Sequence, residues 1–498
     1  PGADVPALEA PEGDEPAEPR LRPGRLPVPE DQRLHLVLYL DNQFLRPFNR
    51  NRVVRQVREF LRTQIGPQDR VMLITYDREL HRRHPFTSDM QAINDALDET
   101  LTLTGAAAAA ETERRDAMRR VEQSRTELEA QSHADFYAKS VHHDLGLSID
   151  ALKKLVGSLA GLPGRKALLY VSDGIPMTPG EDLFLLVAQR FTSQTTARLQ
   201  GRRYNSRQRF RDLTAQANAN RVTFYTLEAA GLDFHASLSA EHRGSASATG
   251  GSNIDIDVLR DSNNQQALQM MAFETGGLAT FNSNNIAGAL GRMASDFGSY
   301  YSLGYQPGLR EEGRYHKIEV KVKRKGLQVR HRSGYRDKTA ETQVAEGTLA
   351  SLFYGWEKNS LGVVLQAAKG QRQDDGNFVV PLEVRIPLGN VTFVPQETLH
   401  LGQLQISVAV IDEEGRVSSV QQTPVPIEIP DAHIATARQQ SFVYEVSLIM
   451  REGYQEVAVG VRDEFPGETS FVRLPVWAGG VTTGAGSRAS SAAGLGGR

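Results

Sequence analysis

The chain has 498 residues, with 57 Lys and Arg against 60 Asp and Glu for a formal charge of −3, and 40% of it is hydrophobic. Its length exceeds one hydrophobic core and calls for two or three domains, its balanced charge excludes a global basic field for nucleic acid, and no apolar run approaches the roughly 20 residues of a membrane-spanning helix. Cysteine is absent, which removes disulfides, thiolate metal sites, iron–sulfur clusters and cysteine nucleophiles together and suits an oxidising compartment.

Residues 1–30 hold eight prolines among acidic and small residues, the composition of an extended, disordered lead-in. The opening Pro-Gly-Ala-Asp is expected for a mature chain after signal removal, and equally for a trimmed one. Leu34–Leu40 is a continuous apolar run ending at Asp41, the pattern of a strand buried on both faces. Asn51–Ile65 repeats apolar residues at helical spacing before a Gly66-Pro67 stop. A strand over Arg70–Tyr76, a helix over Ser88–Leu103, a helix over Leu147–Leu159 and a strand over Lys166–Val171 follow, the last running into the turn Ser172-Asp173-Gly174. Further strands are expected at Val222–Leu227 and Tyr300–Tyr305. Strands alternating with helices of this length predict an α/β fold, a Rossmann-like parallel sheet with helices on both faces.

Two segments interrupt the alternation. Residues 105–144 begin with polyalanine and continue as a densely charged stretch carrying only Met118, Val121 and Leu128 as an apolar stripe, which predicts a solvated helical arm. Residues 231–264, rich in Ser, Ala, Gly and Asn, predict a flexible loop. From Arg314 the period becomes two, with Tyr315–Lys323 and Leu327–Arg332 as hairpin partners. A short helix is expected over Glu341–Trp356, and then strands at residues 361–368, 377–386, 403–412, 417–429, 442–450 and 454–463 predict an antiparallel β-sandwich of immunoglobulin or fibronectin type. The expected organisation is a lead-in 1–30, an α/β domain 31–338, a sandwich 339–477, and a flexible Gly/Ser/Ala tail 478–498.

The strand ending at Asp41 and the segment KALLYVSDG ending in Asp173-Gly174 resemble the von Willebrand factor type A fold. Glu274-Thr275-Gly276-Gly277, the helix after Asn284-Asn285, YYSLGYQP (Tyr300–Pro307), GRYHKIEVKVKR (Gly313–Arg324) and RSGY (Arg332–Tyr335) resemble the bacterial branch of VWFA-related domain proteins first noted in acidobacteria. The likeness covers about residues 32–338. It implies a metal-ion-dependent adhesion site at the strand ends, where DxSxS, a Thr and the Asp of Ser-Asp-Gly hold Mg2+ and a partner's carboxylate completes the shell. This chain departs from that pattern: Asp41-Asn42-Gln43-Phe44-Leu45 stands in place of DxSxS, and Gly146 in place of the Thr, with Ser148 the nearest hydroxyl. No metal is therefore expected; a rebuilt site would draw on Asp41, Asn42, Gln43 and Asp173, with Ser148 nearby, for weak Mg2+. Without a metal, Asp41 is expected to cap the following segment and Asp173 to form a turn.

His81, His84 and the pair His142-His143 lack a carboxylate or third His at zinc-ligand spacing. No G-x-S-x-G elbow is present, and Ser172 belongs to the Ser-Asp-Gly turn. These observations predict a non-catalytic, exported module, secreted or attached to the cell envelope, that binds a protein partner, with no cofactor and no nucleic acid. Two alternatives stay open: a genuinely Mg2+-dependent adhesion domain, and a hydrolase using the His and Asp residues of the insertions.

Overall fold

The computed structural model describes residues 33–191, 199–231, 250–298, 301, 303, 313–327 and 329–479. Its first sheet is mixed: β1 (Leu34–Asp41), β2 (Arg70–Tyr76), β3 (Leu80–Thr87), β4 (Arg165–Ser172), β5 (Val222–Glu228) and β6 (Ala279–Thr280) lie in the order β3-β2-β1-β4-β5-β6. Only β3 runs antiparallel to its neighbour. All eight residues of β1 are buried, as its unbroken apolar run requires. Alternate side chains serve two layers. Leu36, Leu38 and Leu40 pack against α1 (Pro47–Gln64), α2 (Met90–Leu101) and a helix at Ile286–Gly298, whereas Val37 and Tyr39 pack against helices on the opposite face.

Between α2 and β4 stand α3 (Ala107–Gln123) and α4 (Glu127–Ser158). The Thr126 hydroxyl accepts from the Glu129 amide at 3.3 Å and the Glu129 carboxylate accepts from the Arg125 amide at 2.9 Å, a capping arrangement that turns the chain between the two helices. The segment 105–144 is thus helical, as its composition indicates, but it is not a solvated arm. α4 runs through Asp144 without a break, so the sheet-covering helix and half of the insertion are one element. Ala117, Val121, Ala130, Ala134 and Ala138 form a small core with Leu183, Phe184 and Val187 of α5 (Glu181–Phe191). The reason is alanine: small side chains let helices approach closely where the apolar pattern is too thin to advertise a core. Of the anticipated stripe, Val121 is buried, Met118 packs from the edge and Leu128 is exposed.

α6 (Arg207–Ala219) precedes β5, and α7 (Gly250–Glu274) follows it. The helix α7 corrects the expected loop over 231–264: residues 250–264 are helical, with Ile256 buried, while 232–249 lie outside the described residues. The strand beside β5 is Ala279–Thr280 rather than the expected 300–305, most of which also lies outside the described residues. Gly277 explains the Gly-Gly turn ahead of it, since a Cβ there would fall 1.9 Å from the Phe224 carbonyl oxygen. β3 had no counterpart in the sequence reading; its polar residues fit an edge strand. α8 is Ile286–Gly298; the expected strand Tyr315–Lys323 shrinks to β7 (Tyr315–Lys317), and its partner is β8 (Gly334–Arg336) rather than the expected Leu327–Arg332, where Val322, Leu327 and Val329 are exposed and have no core to face.

α9 (Ala340–Tyr354) leads into antiparallel sheets. One joins β10 (Val364–Ala367), β11 (Gln371–Arg372) and β16 (Ser441–Met450) to β12 (Phe378–Pro387). The other contains β9 (Lys358–Asn359), β13 (Val394–Gln396), β14 (Leu399–Asp412), β15 (Gln421–Pro430), β17 (Gly453–Asp463) and β18 (Thr469–Ala478). Val380, Leu382 and Val384 of the first share one core with Leu404, Ile406, Val459 and Val461 of the second. The lead-in 1–30 and almost all of the tail 478–498 lie outside the described residues.

Candidate functional site at the strand ends

Asp41 ends β1 and Asp173 follows β4, so the two carboxylates stand at the carboxyl ends of adjacent parallel strands, where the strand order reverses and open α/β sheets leave a crevice. Their surroundings differ. Asp41 is fully buried; one oxygen accepts from the Gln43 amide at 3.1 Å and the other from the Tyr170 hydroxyl. Burial pushes its carboxyl up to about 7, against the pull of those hydrogen bonds. As expected, Asp41 caps the segment that follows it.

Asp173 does something else. Its Oδ2 accepts from the Arg46 backbone amide at 3.0 Å and from Arg46 Nε at 2.7 Å, and its Oδ1 accepts from Asn49 Nδ2 at 2.9 Å. Pro47 opens α1 and Arg46 is its cap residue, so a carboxylate from another strand caps this helix and meets the positive end of its dipole. The turn itself is made by Ser172, whose hydroxyl accepts from the Gly174 amide at 3.1 Å. The expectation that Asp173 merely forms a turn is therefore corrected: it ties β4 to α1 and carries an ion pair.

The remaining candidate ligands are not assembled around a common point. The Asn42 amide oxygen accepts from Arg50 Nη1 at 3.2 Å. Arg50 is fully buried and also donates to the carbonyls of Leu101 at 3.3 Å and Leu103 at 2.7 Å. Gln43 donates from Nε2 to Asp144 at 3.4 Å. Ser148 is buried on α4, and Gly146 in the same helix is packed by the Arg209 guanidinium, 2.5 Å from where a Cβ would lie. Among the described residues no three His, Cys, Asp or Glu side chains converge as metal ligands. The donor set does not fit octahedral Mg2+: Asp173 already holds a guanidinium, the Asn42 oxygen holds another, Asp41 is taken up by the Gln43 amide and the Tyr170 hydroxyl, and the Ser172 hydroxyl is spent on its own turn.

The arginines and Asn49 were missed in the sequence, although one signal was there: a Pro fixes the helix start directly after Arg46, placing that residue at the strand-end face. Glu228 was missed too. It ends β5 as Asp41 ends β1, is buried, accepts from Gln265 Nε2 at 3.0 Å and the Asn282 amide at 2.8 Å, and burial raises its pKa. His81 lies on β3, 2.8 Å from Asp77, and His142 lies 3.3 Å from the Ser206 hydroxyl; neither histidine joins a metal-binding cluster.

A cavity of about 190 Å3 opens above this face between α3, α4 and α7, with Gln43, Asp173 and Glu228 among its lining residues. A larger hollow of about 460 Å3 lies in the C-terminal sheets, but its charges are spent on each other, Asp412 with Arg416 at 2.7 Å and with Arg451 at 3.4 Å.

No family model matches the chain, and no curated protein matches it. Solved structures with some likeness include an aerotolerance-related membrane protein from Bacteroides fragilis, at 12% identity over 53% of this chain and 98% of that one, with a TM-score of 0.25. Others are the conserved hypothetical protein BatB from Bacteroides thetaiotaomicron, at 11% identity over 53% and 98% with a TM-score of 0.24, and the pilus adhesin SpaC from Lactobacillus rhamnosus GG, at 10% over 84% and 52% with a TM-score of 0.25. Likenesses at this level carry no argument about function. No helix among the described residues is long and apolar enough to cross a membrane.

Proposed function

We propose that the chain is a non-catalytic, exported interaction module: an α/β domain of von Willebrand factor type A kind, residues 31–338, carried on a β-sandwich of residues 339–477, which binds a protein partner at the strand-end face without a metal. The observation that carries this reading is the occupation of Asp173. In a metal-dependent site that carboxylate faces Mg2+; here the Arg46 guanidinium at 2.7 Å supplies the positive charge from within the chain. The lack of cysteine suits the oxidising, envelope-associated location of this reading. Catalysis is left out because Ser172 is spent on its turn and because the described residues bring no histidine to Asp41, Asp173 or Glu228 within hydrogen-bonding distance.

The test is capture of partners from an envelope extract by the immobilised full chain, with and without EDTA, and by an Asp173→Asn variant. Equal capture in chelator is expected. Capture that requires Mg2+, or no capture of any protein, sinks the proposal.

A further inference from the structure

The cavity above the strand ends is small. Its volume of about 190 Å3 equals about six water molecules at roughly 30 Å3 each, well below the roughly 300–1,000 Å3 of pockets that hold cofactors and drug-sized ligands. It suits one long side chain. Its charge is equally selective. Seven carboxylates line it against three guanidiniums, and each guanidinium is paired with a carboxylate: Arg46 with Asp173 at 2.7 Å, Arg114 with Asp182 at 2.7 Å, and Arg260 with Glu111 at 2.6 Å. Asp144 is met by Arg78 from outside the lining at 3.3 Å, and the seven carboxylates still outnumber these four guanidiniums. Glu228 is held by two neutral donors, and the neighbouring charges of Asp261 and Asp173 add to the effect of burial in opposing its ionisation. A second feature points the same way: Gln43 lines the cavity, is only 4% exposed, and its Oε1 has no hydrogen-bond partner. A buried amide oxygen of this kind asks for a donor, and Glu228, held by neutral donors alone, asks for a cation. The alanines at 107 and 110 on α3 are among its lining residues.

Resting on the reading of this face as an interaction surface, we infer that the cavity receives the cationic end of a Lys or Arg side chain projecting from a protein partner. The polarity is the reverse of a metal site, which presents a cation to a partner's carboxylate.

The test titrates the full chain, by calorimetry or NMR, with blocked tripeptides of sequence Gly-Arg-Gly, Gly-Lys-Gly and Gly-Glu-Gly. Variants are Glu228→Gln, which is nearly isosteric, and Ala110→Trp, which fills the cavity from a half-buried helix position; circular dichroism checks that each is folded. Binding of at least one basic peptide is expected, with none of the acidic one, and each variant should weaken it roughly tenfold, the scale of one lost charge-assisted hydrogen bond. Failure of both basic peptides to bind, equal binding of the acidic peptide, or basic binding untouched by both variants overturns the inference. Partner capture from envelope extract separates the two proposals: capture that survives Ala110→Trp removes the cavity from the interface while leaving the interaction module intact.

Discussion

Replacing Asp173 tests whether the chain has substituted a guanidinium for a metal. In Asp173→Ala, the Arg46 amide, Arg46 Nε and Asn49 Nδ2 all lose their acceptor. Hydrogen bonds to a charged group contribute about 1.5–3 kcal/mol each when sheltered, but the Arg46 side chain is 46% exposed, which reduces its ion pair to well under 1 kcal/mol. The cap on α1 adds roughly 1 kcal/mol. The expected loss is therefore about 2–3 kcal/mol, read as a shift of the urea midpoint at unchanged slope. Its independence from metal is the decisive part. A site that binds Mg2+ with a dissociation constant one hundredth of the free concentration adds about 2.7 kcal/mol to stability, so wild type in Mg2+ and in EDTA should unfold at one midpoint. A midpoint that falls in EDTA for wild type but not for Asp173→Ala refutes the substitution.

Other expectations follow from single contacts. Asp41, pushed up to about 7 from 3.8 by burial, holds its proton more tightly folded than unfolded; its favourable contribution is full below pH 3.8 and is lost as pH rises through 7. Relative to Asp41→Asn, wild type should lose on the order of 4 kcal/mol between pH 4 and pH 8, and parallel urea midpoints across that range would contradict this. Gly174 sits at φ 125° with any Cβ 2.7 Å from Asn264 Cβ, so Gly174→Ala should cost roughly 2 kcal/mol or more by thermal melting. Val121→Ala, which hollows the small core between α3, α4 and α5, should cost roughly 2 kcal/mol of global stability, and deletion of residues 105–144 should abolish cooperative unfolding; a cooperative, wild-type-like transition after deletion would restore the picture of a detachable arm.

How much of this was legible depended on how each residue earns its place. β1, β2, β4 and β5 are buried on both faces and so must be continuously apolar, which makes them visible in any reading of the chain. β6 is two residues long, and β3 spends its length on His, Arg and Pro at a sheet edge; neither carries a periodic signal. The segment 105–144 was read as helical but misjudged as solvated, because the core that α3 and α4 share is largely alanine and alanine carries little hydropathic weight. At the site, the departure from DxSxS was legible in the sequence. The partnership of Asp173 with Arg46 and Asn49 was not, since it spans more than a hundred residues and exists only once β1 and β4 are neighbours.

Those neighbours also explain why the chain tolerates Asp41 as a carboxyl. In a metal site two anionic groups face one divalent cation, and removing the cation leaves two carboxylates in repulsion across adjacent strand ends. Here each is neutralised by a separate route: Asp41 by burial, which favours its protonated form against the pull of the Tyr170 hydrogen bond, and Asp173 by Arg46. Glu228, the third carboxylate of the same row, has no guanidinium bound to it and is held by an amide side chain and a backbone amide instead. The uncompensated charge of the face has therefore moved one strand along, from the β1–β4 crevice to the end of β5, beneath the cavity that α3 and α4 enclose. If that displacement is what sets the partner's polarity, the order of sensitivity at the face should invert relative to a metal site: neutralising Glu228 should weaken a basic ligand more than neutralising Asp41, and chelation should weaken it not at all.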